Sequence, residues 1–555
     1  MREETFDVVV IGGGVTGAGA ALDAASRGLS VALVEARDYA AGTSSRSSKL
    51  IHGGLRYLEQ LNFGLVREAL KERGLLLTTL APHLVRPVPF LIPLEHRVWQ
   101  RGYIGAGVAL YDTLGSILGT ARGLPRHRHL SRSGARRLFP GLRRDALVGA
   151  IQYYDGQVDD ARFTMTLART AASYGAAMGT SMRVVDVLKD VREVVGVRVR
   201  DLESGEEFDV RARTVIAATG VWSDDLSEML GSRPGLRVRA SKGVHLVVPR
   251  SAISGDSGLI LRTEKSVLFV IPWGGHWIVG TTDTDWDLDR AHPAASSVDI
   301  DYILEHVNIV LERPLTHADI EGVYAGLRPL LSGESDATSK LSREHAVVEP
   351  MLGLMLVAGG KYTTYRVMAA DVVDLAARRL RNVPASRTEH VPLLGADGYA
   401  TAWAARAETA RRHGVSVGVV EHLLERYGSL VPEVLALVDE RPELGLPLTG
   451  APEYLAAEVV YAGVAEGALH LDDVLTRRTR ISIETPHRGL DCVEQVADLL
   501  APVLGWDAAS RRREVEHYRA RVAAERESQR MPDDHTADAA RLGAPDVRRL
   551  TVDRS

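Results

Sequence analysis

The sequence predicts an α/β plus α fold, in which a nucleotide-binding unit is interleaved with a mixed β-sheet unit and followed by a C-terminal helical region. An apolar run at residues 6–11, a glycine-rich loop and an alanine-rich stretch occur in the order expected of strand, loop and helix. Residues 183–219 and 236–282 are rich in short strand patterns. Beyond about residue 390, apolar residues recur at helical spacing instead.

The length of the chain also favours several domains. Its 555 residues exceed what one hydrophobic core usually spans. The changes of pattern predict a nucleotide-binding domain in three parts, a substrate- or membrane-facing segment, a substrate-binding sheet, a helical domain and a polar tail that we expect to be mobile. The predicted bounds are, in the same order, 1–85, 151–235 and 346–385; 86–150; 236–345; 390–530; and 531–555.

Composition narrows the classes of function. The 67 basic and 72 acidic residues give a net charge of −5, which argues against nucleic acid as the main partner. Cys492 is the only cysteine, so an intramolecular disulfide is excluded, a Cys/His metal cluster is not expected, and a reducing compartment is favoured. The strand pattern begins almost at Met1, so we expect no signal peptide before it.

One apolar stretch, residues 102–120, allows two interpretations. Asp112 is its only charge, and arginines flank it on both sides. It could be a glycine-containing segment buried in the core. It could instead be an apolar surface that rests in one membrane leaflet or faces a quinone, with the arginines near anionic headgroups. It is not long and apolar enough for a membrane span, and the residues alone leave both interpretations open.

The glycine-rich loop matches G-x-G-x-x-G at Gly12, Gly14 and Gly17. Gly12 permits the tight turn, Gly14 allows the backbone to approach a pyrophosphate, and Gly17 allows the helix to pack closely on the strand. Glu35 ends the second strand, where its carboxylate can accept hydrogen bonds from ribose hydroxyls and would repel the 2′-phosphate of NADP. The unit is therefore Rossmann-like and binds a dinucleotide, with FAD and NAD both open at this point.

Nine further blocks give the chain a specific resemblance. They read, in chain order, TSSRSSKLIHGGLRYLE at 43–59, YYDGQVDDARF at 153–163, ATGVWSD at 218–224, SKGVHLVVP at 241–249, GTTDTD at 280–285, GLRPLL at 326–331, SREH at 342–345, GGKYTTYR at 359–366 and DDVLTRRTR at 472–480. With these blocks the sequence resembles the FAD-dependent glycerol-3-phosphate dehydrogenases, which belong to the D-amino-acid-oxidase-like flavoprotein superfamily. The resemblance extends over roughly residues 5–525.

This resemblance implies a cofactor and a reaction. The cofactor would be FAD, and the reaction would be oxidation of sn-glycerol 3-phosphate to dihydroxyacetone phosphate, with electrons passed to a membrane quinone such as menaquinone or ubiquinone. The enzyme would be cytoplasmic and peripherally attached to the inner face of the cytoplasmic membrane. The helical region could cap the structure or mediate a homodimer, and the sequence does not decide between these roles.

The resemblance also assigns substrate contacts. Arg56 with Tyr57, Arg328 and Arg343 would hold the substrate, since arginine can bind phosphate oxygens through two parallel hydrogen bonds. His245 would also contact the substrate and act as the general base, because a neutral imidazole can accept the hydroxyl proton near pH 7.

The same resemblance places the cofactor against further loops. Lys361 follows a strand and two glycines and would add charge beside the flavin, so we count it with His245 and Arg328 as catalytic. His52 would order the loop beside the flavin. The residues expected to bind FAD are Gly12, Gly14, Gly17, Glu35, Ala36, Thr43, Ser44, Ser45, Ser48, Lys49, Leu50, His52, Gly220, Trp222, Gly360, Lys361 and Thr363.

Other interpretations stay open. Asp283 and Asp285 have no Cys or His partner near them in the sequence, so we interpret them as loop caps and expect no metal site.

A glycerol-3-phosphate oxidase would share the site but reduce oxygen, and the absence of an obvious mid-chain insertion favours the dehydrogenase. An amine or amino-acid oxidase would not need three arginines for a phosphate. A non-catalytic dinucleotide-binding sensor is the alternative of another class.

Overall fold

Two sheets and a helical region make up the computed structural model, which describes residues 1–54, 62–96, 99–117, 124–230, 236–263, 267–331 and 344–548. In these ranges the first sheet has eight strands. Its first strand runs parallel to both of its neighbours, and three helices pack against one face of the sheet. The strands are Thr5–Ile11, Val31–Val34, Ala177–Gly179, Met182–Asp190, Glu193–Asp201, Glu207–Ala217, His345–Met351 and Leu354–Gly359.

The second sheet has ten strands within the described residues. These are Leu50–Ile51, Val85–Leu94, Arg128–Ser131, Gly149–Val158, Val238–Pro249, Gly258–Arg262, Val267–Trp273, His276–Gly280, Thr284–Trp286 and Gly322–Leu331. The long strand Val238–Pro249 pairs antiparallel with Gly322–Leu331 along almost its whole length. This pair carries two of the predicted catalytic residues, His245 and Arg328.

Helices pack on both sheets and build the C-terminal region. Those before residue 390 are Val15–Ser26, Phe63–Leu75, Trp99–Ile117, Arg132–Leu138, Asp160–Ser173, Ser223–Leu230, Ser297–Asn308 and Tyr365–Ala377. Those after it are Tyr399–Ala404, Arg406–His413, Val417–Tyr427, Val431–Glu440, Ala456–Ala465, Leu471–Asp473, Ile481–Glu484, Val493–Leu504, Ala508–Ser528 and Asp534–Leu542. A short hairpin, Pro447–Leu448 with Ala451–Leu455, lies among the latter.

Two predicted bounds are wrong. Strand Gly149–Val158 pairs with Val85–Leu94, so residues 151–158 belong to the second sheet and not to the nucleotide-binding domain. The tail predicted to be mobile from residue 531 contains the helix Asp534–Leu542 and stays packed to residue 548. Its charged side chains reach partners that are remote in sequence: Arg548 pairs with Asp473 at 2.9 Å. Such long-range pairs leave no local signal in the sequence.

The apolar stretch at 102–120 lies mostly in the helix Trp99–Ile117. One side of this helix is buried, through Val108 and Tyr111 among others, while Tyr103 and Leu110 on the other side are exposed. The core interpretation therefore holds for one face only. Among the described residues, no helix is both long and apolar enough to cross a membrane.

Candidate active site

A cavity of about 1240 Å³ lies between the two sheets, and most of the predicted site residues line it. Its wall combines the glycine loop, the loop at residues 41–54, the long strand pair of the second sheet and the turn after strand Leu354–Gly359. The predicted residues that line it are Gly12, Gly14, Glu35, Ala36, Thr43, Ser44, Ser48, Leu50, His52, Gly220, Trp222, His245, Arg328, Gly360, Lys361 and Thr363. One cavity thus collects residues from positions 12 to 363.

The glycine loop has no room for side chains at two of its positions. Gly12 has a φ of +108°, and a Cβ there would lie 2.6 Å from the carbonyl oxygen of Ala218. A Cβ at Gly17 would lie only 1.9 Å from the carbonyl oxygen of Gly12. The first glycine therefore makes the turn and Gly17 brings the helix against the strand, as the motif predicts. Gly17 lies on the side of the loop that faces away from the cavity and is not among the residues that line it.

Glu35 closes the nucleotide loop from the end of the second strand. Its carboxylate accepts hydrogen bonds from the backbone N–H of Gly13 at 2.6 Å and from that of Arg37 at 2.8 Å. Burial raises the pKa of Glu35, although these two backbone donors oppose the shift. Each carboxylate oxygen retains a further lone pair for a ribose hydroxyl.

The turn at Gly359–Lys361 shapes the opposite end of the cavity. Both glycines have a φ of +78°, a left-handed conformation that favours glycine. Lys361 follows them and lines the cavity at the start of the turn that leads into helix Tyr365–Ala377. The hydroxyl of Thr363 accepts a hydrogen bond from the backbone N–H of His52 at 3.2 Å. Two loops predicted to border the flavin are therefore in direct contact.

His245 is buried on the strand Val238–Pro249. Its Nε2 lies 2.8 Å from the hydroxyl oxygen of Ser48, while its Nδ1 has no hydrogen-bond partner among the described residues. Its ring stacks on Tyr324, with centroids 4.8 Å apart. Burial, with the charges of Arg328 and Lys49, holds the pKa of His245 well below its ordinary value of 6.5. The imidazole is therefore neutral at pH 7 and can accept a proton.

Arg328 reaches the cavity from the neighbouring strand and is held by several acceptors. Its Nη2 donates to the hydroxyl of Thr281 at 3.0 Å, and its Nη1 lies 3.4 Å from Asp283 Oδ1. Asp283 also accepts a hydrogen bond from the hydroxyl of Ser241. A Cβ at Gly243 would lie 2.4 Å from Arg328 Nη2, so this glycine leaves the space that the guanidinium occupies.

Strand register explains why these groups meet. His245 lies opposite Tyr324, and Ser241 lies opposite Arg328, in the antiparallel pair. Opposite residues of such a pair point to the same face, as do residues two apart along a strand. His245 and Arg328 therefore share the face that borders the cavity, although 83 positions separate their numbers in the sequence.

Some predicted site residues lie elsewhere. Lys49 is fully buried, and its ammonium pairs with Asp160 at 2.7 Å instead of lining the cavity. The backbone oxygen of Ser45 accepts from Lys49 Nζ at 3.1 Å, and Ser45 is also absent from the lining. Both residues therefore support the loop from behind. The predicted substrate residues Arg56, Tyr57 and Arg343 lie outside the described residues.

Several contributions were missed by sequence reasoning. Asp283 orients Arg328 and is more than a loop cap; its only signal was the carboxylate in the GTTDTD block. Ser48 was assigned to the cofactor, yet its hydroxyl contacts His245. Tyr324 stands four residues before Arg328, the spacing that puts both on one face of a strand, so the pattern was readable once that strand was assigned.

The mouth of the cavity is apolar. Phe63, Tyr103 and Leu110 line it with exposed fractions of 47%, 58% and 40%. Ile104 and Gly107 from the same helix, Trp99–Ile117, line it as well. Exposed aromatic and aliphatic side chains grouped at one opening are typical of a surface that meets an apolar ligand or a membrane.

Comparison with known proteins gives two family matches. The family described as FAD dependent oxidoreductase matches residues 7–366, and the family described as C-terminal domain of alpha-glycerophosphate oxidase matches residues 386–511. The first range contains both sheets except the first two residues of strand Thr5–Ile11, with all cavity-lining residues but Met368, and the second contains most of the helical region.

Relatives match along most of the chain. Glycerol-3-phosphate dehydrogenase 2 of Mycobacterium tuberculosis is 62% identical over 549 residues, which are 99% of this chain and 93% of that protein. The mitochondrial glycerol-3-phosphate dehydrogenase of Homo sapiens is 38% identical over 536 residues, 93% of this chain and 72% of that protein. The X-ray structure of glycerol-3-phosphate dehydrogenase from Bacillus halodurans complexed with FAD is similar with a TM-score of 0.77 and 30% identity, over 94% of this chain and 95% of that one.

Proposed function

This chain belongs to the FAD-dependent glycerol-3-phosphate dehydrogenase family, and on that premise we propose that it oxidises sn-glycerol 3-phosphate to dihydroxyacetone phosphate and passes the electrons to a membrane quinone. One observation carries the proposal: a neutral, buried His245 and a firmly held Arg328 line the same cavity as the dinucleotide loop. The cavity therefore contains a base, a cation and a cofactor cradle at once.

The cradle fits FAD. Gly12 and Gly14 would let the backbone approach the diphosphate, Glu35 would accept from the ribose, and Gly360 with Lys361 would border the flavin. When bound, FAD supplies the acceptor for the hydride from the substrate carbon. The protein then has to orient the alcohol, take its proton and hold its phosphate.

We assign the proton to His245. Its Nε2 lies 2.8 Å from the Ser48 hydroxyl, which can accept from this nitrogen or donate to it and so helps to hold the ring in place. The imidazole, which lines the cavity, would take the hydroxyl proton of the substrate. Stacking on Tyr324 holds the ring in this orientation.

We assign the phosphate end of the substrate to Arg328. Thr281 and Asp283 hold its guanidinium in one position, so little side-chain entropy is lost when the anion binds. Arg56 with Tyr57 and Arg343 remain predictions for the same clamp.

We assign the electron acceptor and the membrane contact to the apolar mouth. Phe63, Tyr103 and Leu110 are exposed there, which suits a quinone ring and a peripheral contact with the inner face of the cytoplasmic membrane. Arg126 and Arg128, which are exposed shortly after the same helix, would face anionic headgroups.

Acceptor assays test this part of the proposal. With sn-glycerol 3-phosphate, we expect the enzyme to reduce a menaquinone analogue much faster than it releases hydrogen peroxide in air; stoichiometric peroxide would make it an oxidase.

Leu110→Glu should lower both quinone reduction and binding to anionic vesicles, since a carboxylate at the mouth opposes both. Val191→Glu is the matched control, because Val191 is a 94% exposed apolar residue away from the cavity lining.

A further inference from the structure

A segment of the C-terminal region reaches back to the loop at residues 45–49, whose Ser48 contacts His245. Arg478 binds Asp38 through two hydrogen bonds, of 2.7 and 2.8 Å. Two residues later, Arg480 donates to Asp159 Oδ1 at 2.6 and 3.0 Å, pairs with Asp160, and donates to the backbone oxygen of Ser45 at 3.3 Å. Both arginines are almost fully buried, so these ion pairs are shielded from solvent.

Asp160 carries the connection into the loop at residues 45–49. Its Oδ2 accepts from the backbone N–H of Ser47 at 2.9 Å and from the hydroxyl of Ser47 at 2.7 Å. Its Oδ1 accepts from Lys49 Nζ at 2.7 Å. One carboxylate therefore fixes the residues on either side of Ser48, and Arg480 in turn holds that carboxylate.

Ser48 is the residue enclosed by these contacts, and its hydroxyl oxygen lies 2.8 Å from His245 Nε2. Hydrogen bonds thus lead from Arg480 through Asp160 to Ser47, and the next residue in the chain, Ser48, contacts the imidazole. Each group on this path is buried or half-buried. The path crosses from the helical region to the second sheet and reaches the cavity at Ser47, Ser48 and His245.

We propose that Arg480 is a positioning residue for the oxidation. By holding Asp160 it fixes the loop at residues 45–49, so that Ser48 keeps its hydrogen bond to His245 Nε2 and the ring keeps its orientation. The proposal rests on the role of His245 as base. It gives the helical region a task in catalysis: the active site is completed by an arginine that touches neither substrate nor flavin.

The test is a double-mutant cycle between Arg480→Lys and Ser48→Ala in the FAD-loaded, full-length enzyme. Each single variant should lower kcat by about tenfold while KM changes by less than about twofold, as expected when a reacting group is misplaced. The double variant should fall no further than either single variant, because both act through the same contact. A fall of about a hundredfold in the double variant, the product of the two, would overturn the proposal.

Arg478→Lys is the matched control. Arg478 comes from the same segment and is equally buried, but its partner Asp38 lies outside the loop at residues 45–49. It should lower the melting temperature as Arg480→Lys does and leave kcat and its pH profile unchanged. An equal loss of kcat in Arg478→Lys would reduce Arg480 to a purely structural role and contradict the proposal.

A milder variant covers the case in which Arg480→Lys does not fold. Ser47→Ala removes one hydrogen bond to Asp160 and one from the backbone N–H of Lys49, and it retains the buried ion pairs. It should lower kcat several-fold, again without a further loss in the Ser48→Ala background; wild-type kcat would contradict the proposal. If Ser48→Ala and His245→Gln both retain full kcat, the assignment of the base has failed instead.

Discussion

The ring of His245 stacks on that of Tyr324, with centroids 4.8 Å apart and planes 12° from parallel. The two residues are direct partners across the antiparallel pair of strands that borders the cavity. Tyr324 is itself held, since its hydroxyl donates to the backbone oxygen of Ser47 at 3.0 Å. The face of the imidazole and its Nε2 are therefore both fixed by neighbours, and rotation of the ring is restricted.

Replacement of the imidazole should remove the base. We expect His245→Gln to lower kcat by about 10² or more while FAD stays bound, the usual scale for losing a general base. Stopped-flow reduction of the flavin by sn-glycerol 3-phosphate measures the step directly. His306→Gln, on helix Ser297–Asn308 and away from the cavity lining, is the control and should behave as wild type. Wild-type reduction in His245→Gln would move the role to another residue.

The dependence of activity on pH follows from the same environment. Burial, Arg328 and Lys49 lower the pKa of His245 below 6.5, and the base must be neutral to act. Activity should therefore be lost as pH falls through this lowered pKa, so the acid limb of kcat/KM lies below pH 6.5. In Arg328→Gln a neighbouring positive charge is gone, and the limb should move up towards neutral pH. An acid limb above pH 7 in wild type would contradict this account.

Arg328 should act mainly in substrate binding. We expect Arg328→Gln to raise KM by roughly 10- to 100-fold, the scale of a lost hydrogen bond to a charged group, with little change in FAD content. Arg328→Lys should recover only part of the affinity, because an ammonium cannot reproduce the planar guanidinium that Thr281 and Asp283 hold in place. Arg343→Ala is expected to raise KM in the same way. An unchanged KM in either of the Arg→neutral variants would remove that arginine from the clamp.

The glycine loop should tolerate no side chain at Gly17. Gly17→Ala places a Cβ 1.9 Å from the carbonyl oxygen of Gly12, which forces the helix away from the strand. The purified variant should therefore contain little FAD. Gly102→Ala is the control, since a Cβ there would meet nothing within 4 Å, and it should bind FAD normally. Equal FAD content in the two variants, measured by absorbance after denaturation, would argue against the loop as the cofactor cradle.

The C-terminal segment should contribute to stability. Arg548 is 2% exposed at its side chain and binds both oxygens of Asp473, at 3.2 Å from Oδ1 and 2.9 Å from Oδ2. Arg548→Met leaves a buried carboxylate with one partner fewer, and we expect a loss of about 3 to 5 kcal/mol in the free energy of unfolding by urea. Arg530→Met breaks only a pair with Glu527 that is largely exposed, and should cost less than about 0.5 kcal/mol. An equal loss of unfolding free energy in the two variants would show that burial of the Arg548 pair does not stabilise the protein.

Local features of the fold were readable from the sequence. The turn at Gly12, the close packing at Gly17 and the carboxylate at Glu35 all belong to one βαβ unit of about 30 residues, where spacing alone determines geometry. Of the second sheet, residues 236–282 were predicted as strands, and resemblance placed His245 and Arg328 in the site.

Contacts between remote segments were not readable. Arg480 contacts Asp160 across 320 positions of the sequence, and Arg548 contacts Asp473 across 75. In the sequence alone, a charged residue that is buried in such a pair cannot be distinguished from one exposed to solvent. Lys49 was placed at the cofactor because it stands in the right block, but its side chain turns to Asp160. The orientation of a side chain within a loop depends on partners that only the assembled fold brings together.

Anaerobic titration of the flavin tests the central claim most directly. Addition of sn-glycerol 3-phosphate to the FAD-loaded enzyme without oxygen should bleach the flavin absorbance with about one equivalent of substrate, since each oxidation delivers one hydride. Glycerol at the same concentration should leave the spectrum unchanged, because it offers no phosphate to Arg328. A flavin that stays oxidised with sn-glycerol 3-phosphate, or one that bleaches equally well with glycerol, would contradict the account.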